Sequence, residues 1–149
     1  TTLRLANDFN NLIAVKEASG DLNQIKEIID RCPANFLVIS GDDPITVPII
    51  ELGGDGVISV VANALPKSFS KMVNQAFEGK SAAAQETQNS FEDITELMFA
   101  EGNPAGVKAA LNILGIHGAD VRLPLVKMSD AGYAKMRTEL EKIGELANA

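Results

Sequence analysis

The chain has 149 residues, a formal net charge of −7 at pH 7 and a hydrophobic content of 46%. That length is typical of one ordinary domain, and the acidic charge argues against nucleic acid or an anionic membrane surface as a partner. No apolar stretch is long enough to cross a membrane, and the single cysteine cannot form an internal disulfide, so we expect a soluble protein of the reducing cytoplasm.

The first stretch of interest is a short apolar run that ends in a lysine. Residues 1 to 8 are expected to form a helix already under way, with no initiating methionine, so we expect the sequence to be a piece of a longer chain. Residues 12 to 17 follow and end in Lys16 and Glu17. Such a run, closed by turn residues, is typical of a strand buried on both faces of a parallel sheet.

Lys16 would lie at or near the carboxyl end of this strand, where open α/β sheets and (β/α)8 barrels keep their chemistry. Partial desolvation there favours the neutral amine, which can attack a carbonyl carbon. The alternative is that Lys16 only ends the strand and extends to water. Taken alone, the spacing favours this structural alternative.

The chain then alternates between helices and strands. Asp21 can cap a helix that Pro33 stops, and residues 36 to 40 are expected to form a second buried strand. Asp43 is expected to cap a short helix that begins with a proline and closes at Gly53.

A third strand, residues 56 to 61, leads to a helix from Pro66 to Glu78 with Gly79 as its stop. Strands that alternate with helices imply right-handed βαβ crossovers and a parallel sheet. Three such strands have two open edges, which invite further strands. An eight-stranded barrel needs about 250 residues, so this chain is expected to supply only part of one.

From Gly79 onward the sequence predicts helices and no strand. Capping residues mark three of them: Ser81 for a long helix through Met98 or Ala100, Asn103-Pro104 for a helix that ends at Gly115, and Ser129-Asp130 for a last helix that reaches the C-terminus. Residues 121 to 125 form an extended linker, because they contain Pro124. The predicted division is βα units over residues 1–79 and a C-terminal helical domain over residues 80–149.

Few residues of this sequence fit a metal or cofactor site. One histidine and one cysteine make no zinc-type ligand cluster, and Cys32 is interpreted as a buried, inert thiol of the first βα unit. The glycines of residues 53–56 precede a strand, whereas a dinucleotide-binding fingerprint follows one. We therefore expect no metal and no cofactor. Among the acidic residues, Asp43 has a capping role, whereas Asp42 is free to face a substrate at the strand ends.

Five segments carry a resemblance to a known family: Val15–Asp21, Leu37–Asp43, Gly53–Val60 with Ala62 and Asn63, Asn103-Pro104 with Val107-Lys108, and Arg122–Leu125. In order and spacing they resemble the dihydrodipicolinate synthase family, within the wider N-acetylneuraminate lyase superfamily. The resemblance implies a (β/α)8 barrel followed by a C-terminal helical domain. This sequence is similar to the second half of a family member, with the last three parallel barrel strands and their helices before that domain.

The resemblance also implies a catalytic site. Lys16 matches the lysine that forms a Schiff base with pyruvate, Ile58 matches the residue whose backbone faces the pyruvate, and Gly41 and Asp42 line the same mouth. The iminium is expected to lose a proton and become an enamine, which attacks the aldehyde of aspartate semialdehyde. Cyclisation then releases the product, in lysine (diaminopimelate) biosynthesis. Glu17 should point to the opposite face of the strand and so need not neutralise the amine.

Some features of the family pattern are absent. The relay tyrosine, the hydroxyls that hold the pyruvate carboxylate and an arginine for the second substrate come from the earlier half of the barrel, and Tyr133 does not match the relay tyrosine. Gly102 and Gly106 stand where bulkier residues are frequent, which is expected to loosen this segment or to mark a subgroup.

Two alternatives to the synthase activity stay open. One is another pyruvate-dependent aldolase, such as an N-acetylneuraminate or 2-keto-3-deoxy sugar acid lyase. The other is a half-barrel scaffold without catalysis. As partners we expect pyruvate and aspartate semialdehyde, no nucleic acid and no membrane. The open apolar edges further predict a homo-oligomer or association with the missing half of the barrel.

Overall fold

A computed structural model describes residues 1–144, which form three parallel strands and eight α-helices. In chain order the elements are α1 (Thr2–Asp8), β1 (Ala14–Glu17), α2 (Leu22–Arg31), β2 (Leu37–Ser40), α3 (Thr46–Glu51), β3 (Gly56–Val57), α4 (Pro66–Phe77), α5 (Ser81–Asn89), α6 (Glu92–Ala100), α7 (Ala105–Ile113) and α8 (Asp130–Lys142). Short 3-10 helices lie at Asp43–Ile45 and Val61–Asn63. The predicted alternation of helix and strand up to residue 79 is confirmed. After it, the described residues contain no strand, as predicted. Within the described residues, none of the helices has the length and apolar character needed to cross a membrane.

The described residues fall into two compact units. The first comprises Thr1–Ser59 and Ser70–Glu86, and it contains the sheet. The second comprises Val60–Phe69 and the residues from Thr87 onward, and in it α6, α7 and α8 pack against one another. The predicted domain boundary between residues 79 and 80 stays a prediction.

The sheet of the first unit is parallel, in the order β1-β2-β3. Val38 and Ser40 of β2 are buried on one face, where Val38 shares a core with Phe36, which precedes β2, and with four residues of α1, α2 and α3: Ala6, Ile25, Ile28 and Ile49. The other face carries Ala14, Lys16 and Leu37, which are exposed. The expectation that the strands are buried on both faces is therefore wrong for the described residues, because these helices add their apolar side chains to one face only.

All three strands are shorter than predicted, and β2 begins at Leu37 instead of residue 36. β1 begins at Ala14 instead of residue 12, because Leu12 still belongs to the turn after α1 and its N–H donates to the Phe9 carbonyl (3.1 Å). β3 contains only Gly56 and Val57, and the chain enters a 3-10 helix at Val61. The apolar composition of residues 56 to 61 thus overstated the length of that strand.

Local caps were predicted with mixed success. Asp21 caps α2 as expected, since its Oδ1 accepts from the N–H groups of Asn23 (2.9 Å) and Gln24 (3.2 Å). Ser129 caps α8 by accepting from the Gly132 N–H (3.1 Å). The predicted continuation of this last helix to the C-terminus passes into residues 145–149, which lie outside the described residues.

The cap assigned to Asp43 is wrong. Asp42, one residue earlier, occupies the N-cap position of the 3-10 helix and makes no side-chain cap hydrogen bond, whereas Asp43 lies inside that helix and is buried. Of the pair Asn103-Pro104 expected to cap α7, Pro104 occupies the N-cap position, without a side-chain cap hydrogen bond.

The single long helix predicted from Ser81 is instead two helices, α5 and α6. The break lies at Phe91, whose backbone leaves the helical region (φ −129°, ψ 20°). Its ring is buried, and the ring centroid lies 5.9 Å from that of Phe69. Tertiary burial of this one aromatic ring overrides the helical propensity of its neighbours.

Gly106 has a role in the second unit that the sequence did not indicate. It lies in the first turn of α7, and a Cβ atom there would stand 2.2 Å from the Met98 carbonyl oxygen of α6. Hydrogen in place of a side chain therefore allows α7 to approach the backbone of α6 closely. The expectation that this glycine loosens its segment is wrong, because the residue is buried in a tight helix contact.

Candidate active site

Lys16 and Gly41 lie side by side at the carboxyl ends of two neighbouring strands. Lys16 pairs with Ile39 in the parallel register, and the Gly41 N–H continues the ladder by donating to the Glu17 carbonyl (2.8 Å). The aliphatic stem of Lys16 passes over Gly41. A Cβ atom on that glycine would stand 2.7 Å from the lysine Cε and 3.0 Å from its Cγ. The structure thus brings together two of the predicted site residues.

The side chain of Glu17 lies on the face of β1 opposite to that of Lys16. It is buried, and its Oε1 accepts from the Ser19 N–H (2.7 Å) while its Oε2 accepts from the Gln24 side-chain amide (3.5 Å). Because successive side chains of a strand point to opposite faces, burial of Glu17 directs Lys16 to the exposed face. This agrees with the expectation that Glu17 points away from the amine. Through these hydrogen bonds Glu17 stabilises the turn that follows β1, a role that the sequence analysis missed. The signal that could have indicated it is an acidic residue at the last position of an apolar strand.

Asp42 lies just after Gly41, in the turn that follows β2. Its N–H donates to the Ser40 hydroxyl (3.2 Å), which in turn donates to the Asp42 carbonyl (3.1 Å). Its carboxylate oxygen Oδ2 lies 3.7 Å from the point where a Cβ on Gly20 would stand, so it borders the turn after β1. Partial burial and, secondly, the negative charge of Asp43 raise the pKa of Asp42 above its ordinary value.

Ile58 follows β3 and keeps its backbone in the sheet. Its N–H donates to the Ser40 carbonyl (2.9 Å), and its side chain is 56% exposed. Gly56 pairs with Ile39, so alternation along the chain places Ile58 on the same face as Lys16. The predicted site residues Lys16, Gly41, Asp42 and Ile58 therefore all lie at one end of the sheet, within the first unit.

The surroundings of Lys16 differ from the sequence expectation. A partly desolvated amine was expected, but Lys16 is exposed. The reason is the open face of the sheet, on which the neighbouring apolar side chains Leu37 (41%) and Ile58 are also exposed.

The other polar candidates have structural contacts of their own. The Tyr133 hydroxyl donates to the Asn112 side-chain oxygen (2.7 Å), and a ring nitrogen of His117, which is exposed, lies 2.7 Å from the Gly118 carbonyl oxygen. Cys32 lies at the C-cap of α2, partly buried against the core, which fits a packing role.

Comparisons with known proteins agree on one family. A family model described as the dihydrodipicolinate synthetase family matches residues 1–143. A 4-hydroxy-tetrahydrodipicolinate synthase of Phocaeicola vulgatus is 51% identical over 143 residues, which are 96% of this chain and 48% of the relative. The chain therefore spans about half the length of the curated relatives it matches.

Solved structures give the same picture. A dihydrodipicolinate synthase from Thermotoga maritima superposes with a TM-score of 0.93 at 35% identity, over 97% of this chain and 50% of that one. The chloride-inhibited dihydrodipicolinate synthase from Acinetobacter baumannii, complexed with pyruvate, superposes with a TM-score of 0.90 at 33% identity, over 96% of this chain and 49% of that one. On these grounds this chain belongs to the dihydrodipicolinate synthetase family.

Proposed function

We propose that this chain is the lysine-bearing half of a Schiff-base aldolase that condenses pyruvate with aspartate semialdehyde in lysine biosynthesis. The observation that carries the proposal is the position of Lys16, at the carboxyl end of a parallel strand and on the same face as Gly41 and Ile58. That end of the strands is where α/β folds place their reacting groups. The name of the Phocaeicola relative and the pyruvate complex of the Acinetobacter protein support the same assignment.

The chemistry begins at the Nζ atom of Lys16. The neutral amine attacks the keto carbon of pyruvate, and the carbinolamine that forms takes up a proton and loses water to leave an iminium ion. The positive nitrogen withdraws electrons, so that the methyl carbon of the pyruvate part loses a proton and an enamine forms. The enamine carbon then attacks the aldehyde carbon of aspartate semialdehyde. The amino group of the aspartate semialdehyde part then attacks the iminium carbon, which closes the ring, breaks the bond between that carbon and Lys16 Nζ, and frees the amine.

We assign the remaining site residues by position. The Ile58 backbone, fixed by its hydrogen bond to Ser40, would face the pyruvate part of the iminium. Gly41 and Asp42 would line the mouth beside it, with the Asp42 carboxyl partly buried in the turn. No metal or cofactor enters this scheme, because the iminium nitrogen itself is the electron sink.

The proposal includes a complementary half. We infer that the three strands are the last three of an eight-stranded barrel and that the residues from 80 onward are its C-terminal helical domain. The proton-relay tyrosine and the groups that hold the carboxylates would come from the other half, so we expect this chain alone not to complete the condensation. The exposed face around Lys16, Leu37 and Ile58 is the surface that such a half, or a second copy, would cover.

Trapping with borohydride tests the proposal at its first step. The protein is incubated with pyruvate, reduced and digested, and mass spectrometry locates the adduct. We expect the adduct on Lys16 and not on Lys26, an exposed lysine that is ion-paired with Asp30 on α2. Lys16→Arg keeps the positive charge but cannot form the imine, so it serves as the matched negative control.

The outcomes separate the alternatives. Absence of an adduct on Lys16, both in this chain and in a full-length protein that contains it, would leave only a scaffold without catalysis. An adduct in a full-length protein that does not condense with aspartate semialdehyde would instead indicate one of the sister pyruvate aldolases.

A further inference from the structure

We propose that Gly41 is a positioning residue, whose missing side chain provides the space through which the Lys16 stem reaches the end of the sheet. This inference rests on the proposed function and concerns how the amine of that reaction is held in place. The evidence is steric. A Cβ atom at position 41 would stand 2.7 Å from Lys16 Cε, 3.0 Å from Lys16 Cγ and 2.9 Å from the Ala18 Cβ.

The backbone at Gly41 does not itself require glycine. Positive φ angles occur at six other glycines of the described chain, Gly20, Gly53, Gly79, Gly102, Gly115 and Gly144, but not at Gly41. An alanine there would therefore adopt the observed backbone without strain. What excludes the methyl group is the contact with the lysine stem and with Ala18.

The two contacts respond differently to an added methyl group. The Lys16 stem is flexible and must move by about 0.7 Å to reach an ordinary contact distance of 3.4 Å. The Ala18 methyl is carried directly on the backbone just after β1 and cannot rotate away. Gly41→Ala is thus expected to displace the lysine and to strain the turn, and Ala18→Gly removes only the second effect.

The sheet offers a matched control at Gly56, which lies in β3 and pairs with Ile39. A Cβ at this position would meet only the Ile39 Cδ1 at 3.8 Å, which is ordinary van der Waals contact. Gly56→Ala therefore makes the same chemical change on the same face of the same sheet without touching Lys16.

The experiment measures the rate of borohydride-trapped imine formation with pyruvate on four proteins: wild type, Gly41→Ala, Ala18→Gly/Gly41→Ala and Gly56→Ala. A displacement approaching 1 Å of a reacting group lowers a rate by about tenfold to about a hundredfold. We expect that loss in maximal rate for both proteins with alanine at 41, while Gly56→Ala stays within about twofold of wild type. Restored thermal stability without restored rate in the Ala18→Gly/Gly41→Ala protein would show that the loss comes from the lysine.

Three results would overturn the inference. The first is a Gly41→Ala protein that forms the imine at the wild-type rate. The second is a normal maximal rate with a raised half-saturating pyruvate concentration, which would mean that the methyl group obstructs pyruvate and not Lys16. The third is recovery of the rate by Ala18→Gly, which would assign the loss to the turn.

A measurement without pyruvate separates this inference from the proposed function. In isotope-labelled wild-type protein, nuclear Overhauser contacts are expected between the Gly41 Hα atoms and the Lys16 side-chain protons. Their absence overturns the positioning role whatever the reactivity. Their presence supports the placement even if Lys16 reacts with pyruvate neither in this chain nor in a full-length protein that contains it, a result that would refute only the proposed function.

Discussion

Replacing Gly106 by alanine tests the close contact between α7 and α6. The new Cβ would stand 2.2 Å from the Met98 carbonyl oxygen and 2.6 Å from its carbonyl carbon and its Cα. All three are backbone atoms, so no rotamer change relieves the clash. To reach an ordinary contact of 3.4 Å, α7 must retreat from α6 by about 1.2 Å.

The expected magnitude follows from two opposing effects. Overpacking of a well-packed core costs about 1–3 kcal/mol, and we place this case near 3 kcal/mol because the obstacle is backbone. Alanine regains about 1 kcal/mol of helix propensity over glycine. The free energy of unfolding should therefore fall by about 2 kcal/mol, which lowers the melting temperature by about 4–8 °C in a chain of this size.

Urea and thermal unfolding followed by circular dichroism measure this change. Gly118→Ala is the control, since a Cβ at that exposed position would meet only an Asp120 carboxylate oxygen at 3.5 Å, and its effect should stay within about 0.5 kcal/mol. A Gly106→Ala protein as stable as Gly118→Ala would refute the reasoning, because it would mean that the two helices are not in backbone contact.

Three further predictions concern carboxylates. Asp55 accepts from the Val38 N–H through its side chain (2.8 Å), so Asp55→Ala should lower the free energy of unfolding by about 1–3 kcal/mol by leaving a buried donor unpaired. Asp55→Asn retains an acceptor oxygen and should recover most of this loss in the same urea titration. Hydrogen bonds from the Ser129 hydroxyl and N–H lower the pKa of Glu101 below its ordinary value of 4.5. Their contribution to stability is therefore complete above that value and is lost as the pH falls through the lowered pKa. The wild type should accordingly have a higher urea midpoint than Glu101→Gln at pH 7. A difference between the two midpoints that is equally large at pH 3 would contradict this. The pKa of Asp42 is raised, so its ionisation penalises the folded state as the pH rises above 3.8. Asp42→Asn should thus raise the urea midpoint at pH 7 but not at pH 3, and a lower midpoint at pH 7 would show that the charged form is favoured in the fold.

The helix caps show where sequence reasoning succeeds and where it fails. Asp21 and Ser129 were predicted correctly because each accepts from N–H groups only two or three residues away, so the local chain contains all that is needed. Asp42 and Asp43 are adjacent and chemically identical. Which of them becomes the N-cap and which is buried depends on the neighbours that the folded chain provides.

The candidate site shows the same division. The apolar run before Lys16 located the lysine at a strand end, the second strand placed Asp42 just after its own end, and the resemblance to the family assigned Gly41 and Asp42 to the same site. The exposure of Lys16 could not be predicted in this way. A continuous apolar run indicates that a strand is suited to burial on both faces, but it does not show which elements cover each face. The passage of its stem over Gly41 required the register between β1 and β2.

By itself the sequence determined the order of helices and strands up to residue 79, the caps whose partners lie within three residues, the family and the lysine around which the proposed chemistry is built. Those features depend on local hydrogen bonds, on periodicity and on motif spacing. Only the tertiary structure decided the length of β3, the break at Phe91, the contact of Gly106 with Met98 and the path of the Lys16 side chain. The physical reason is that each of these depends on atoms from distant parts of the chain that meet only after folding, when sterics and burial outweigh local preference.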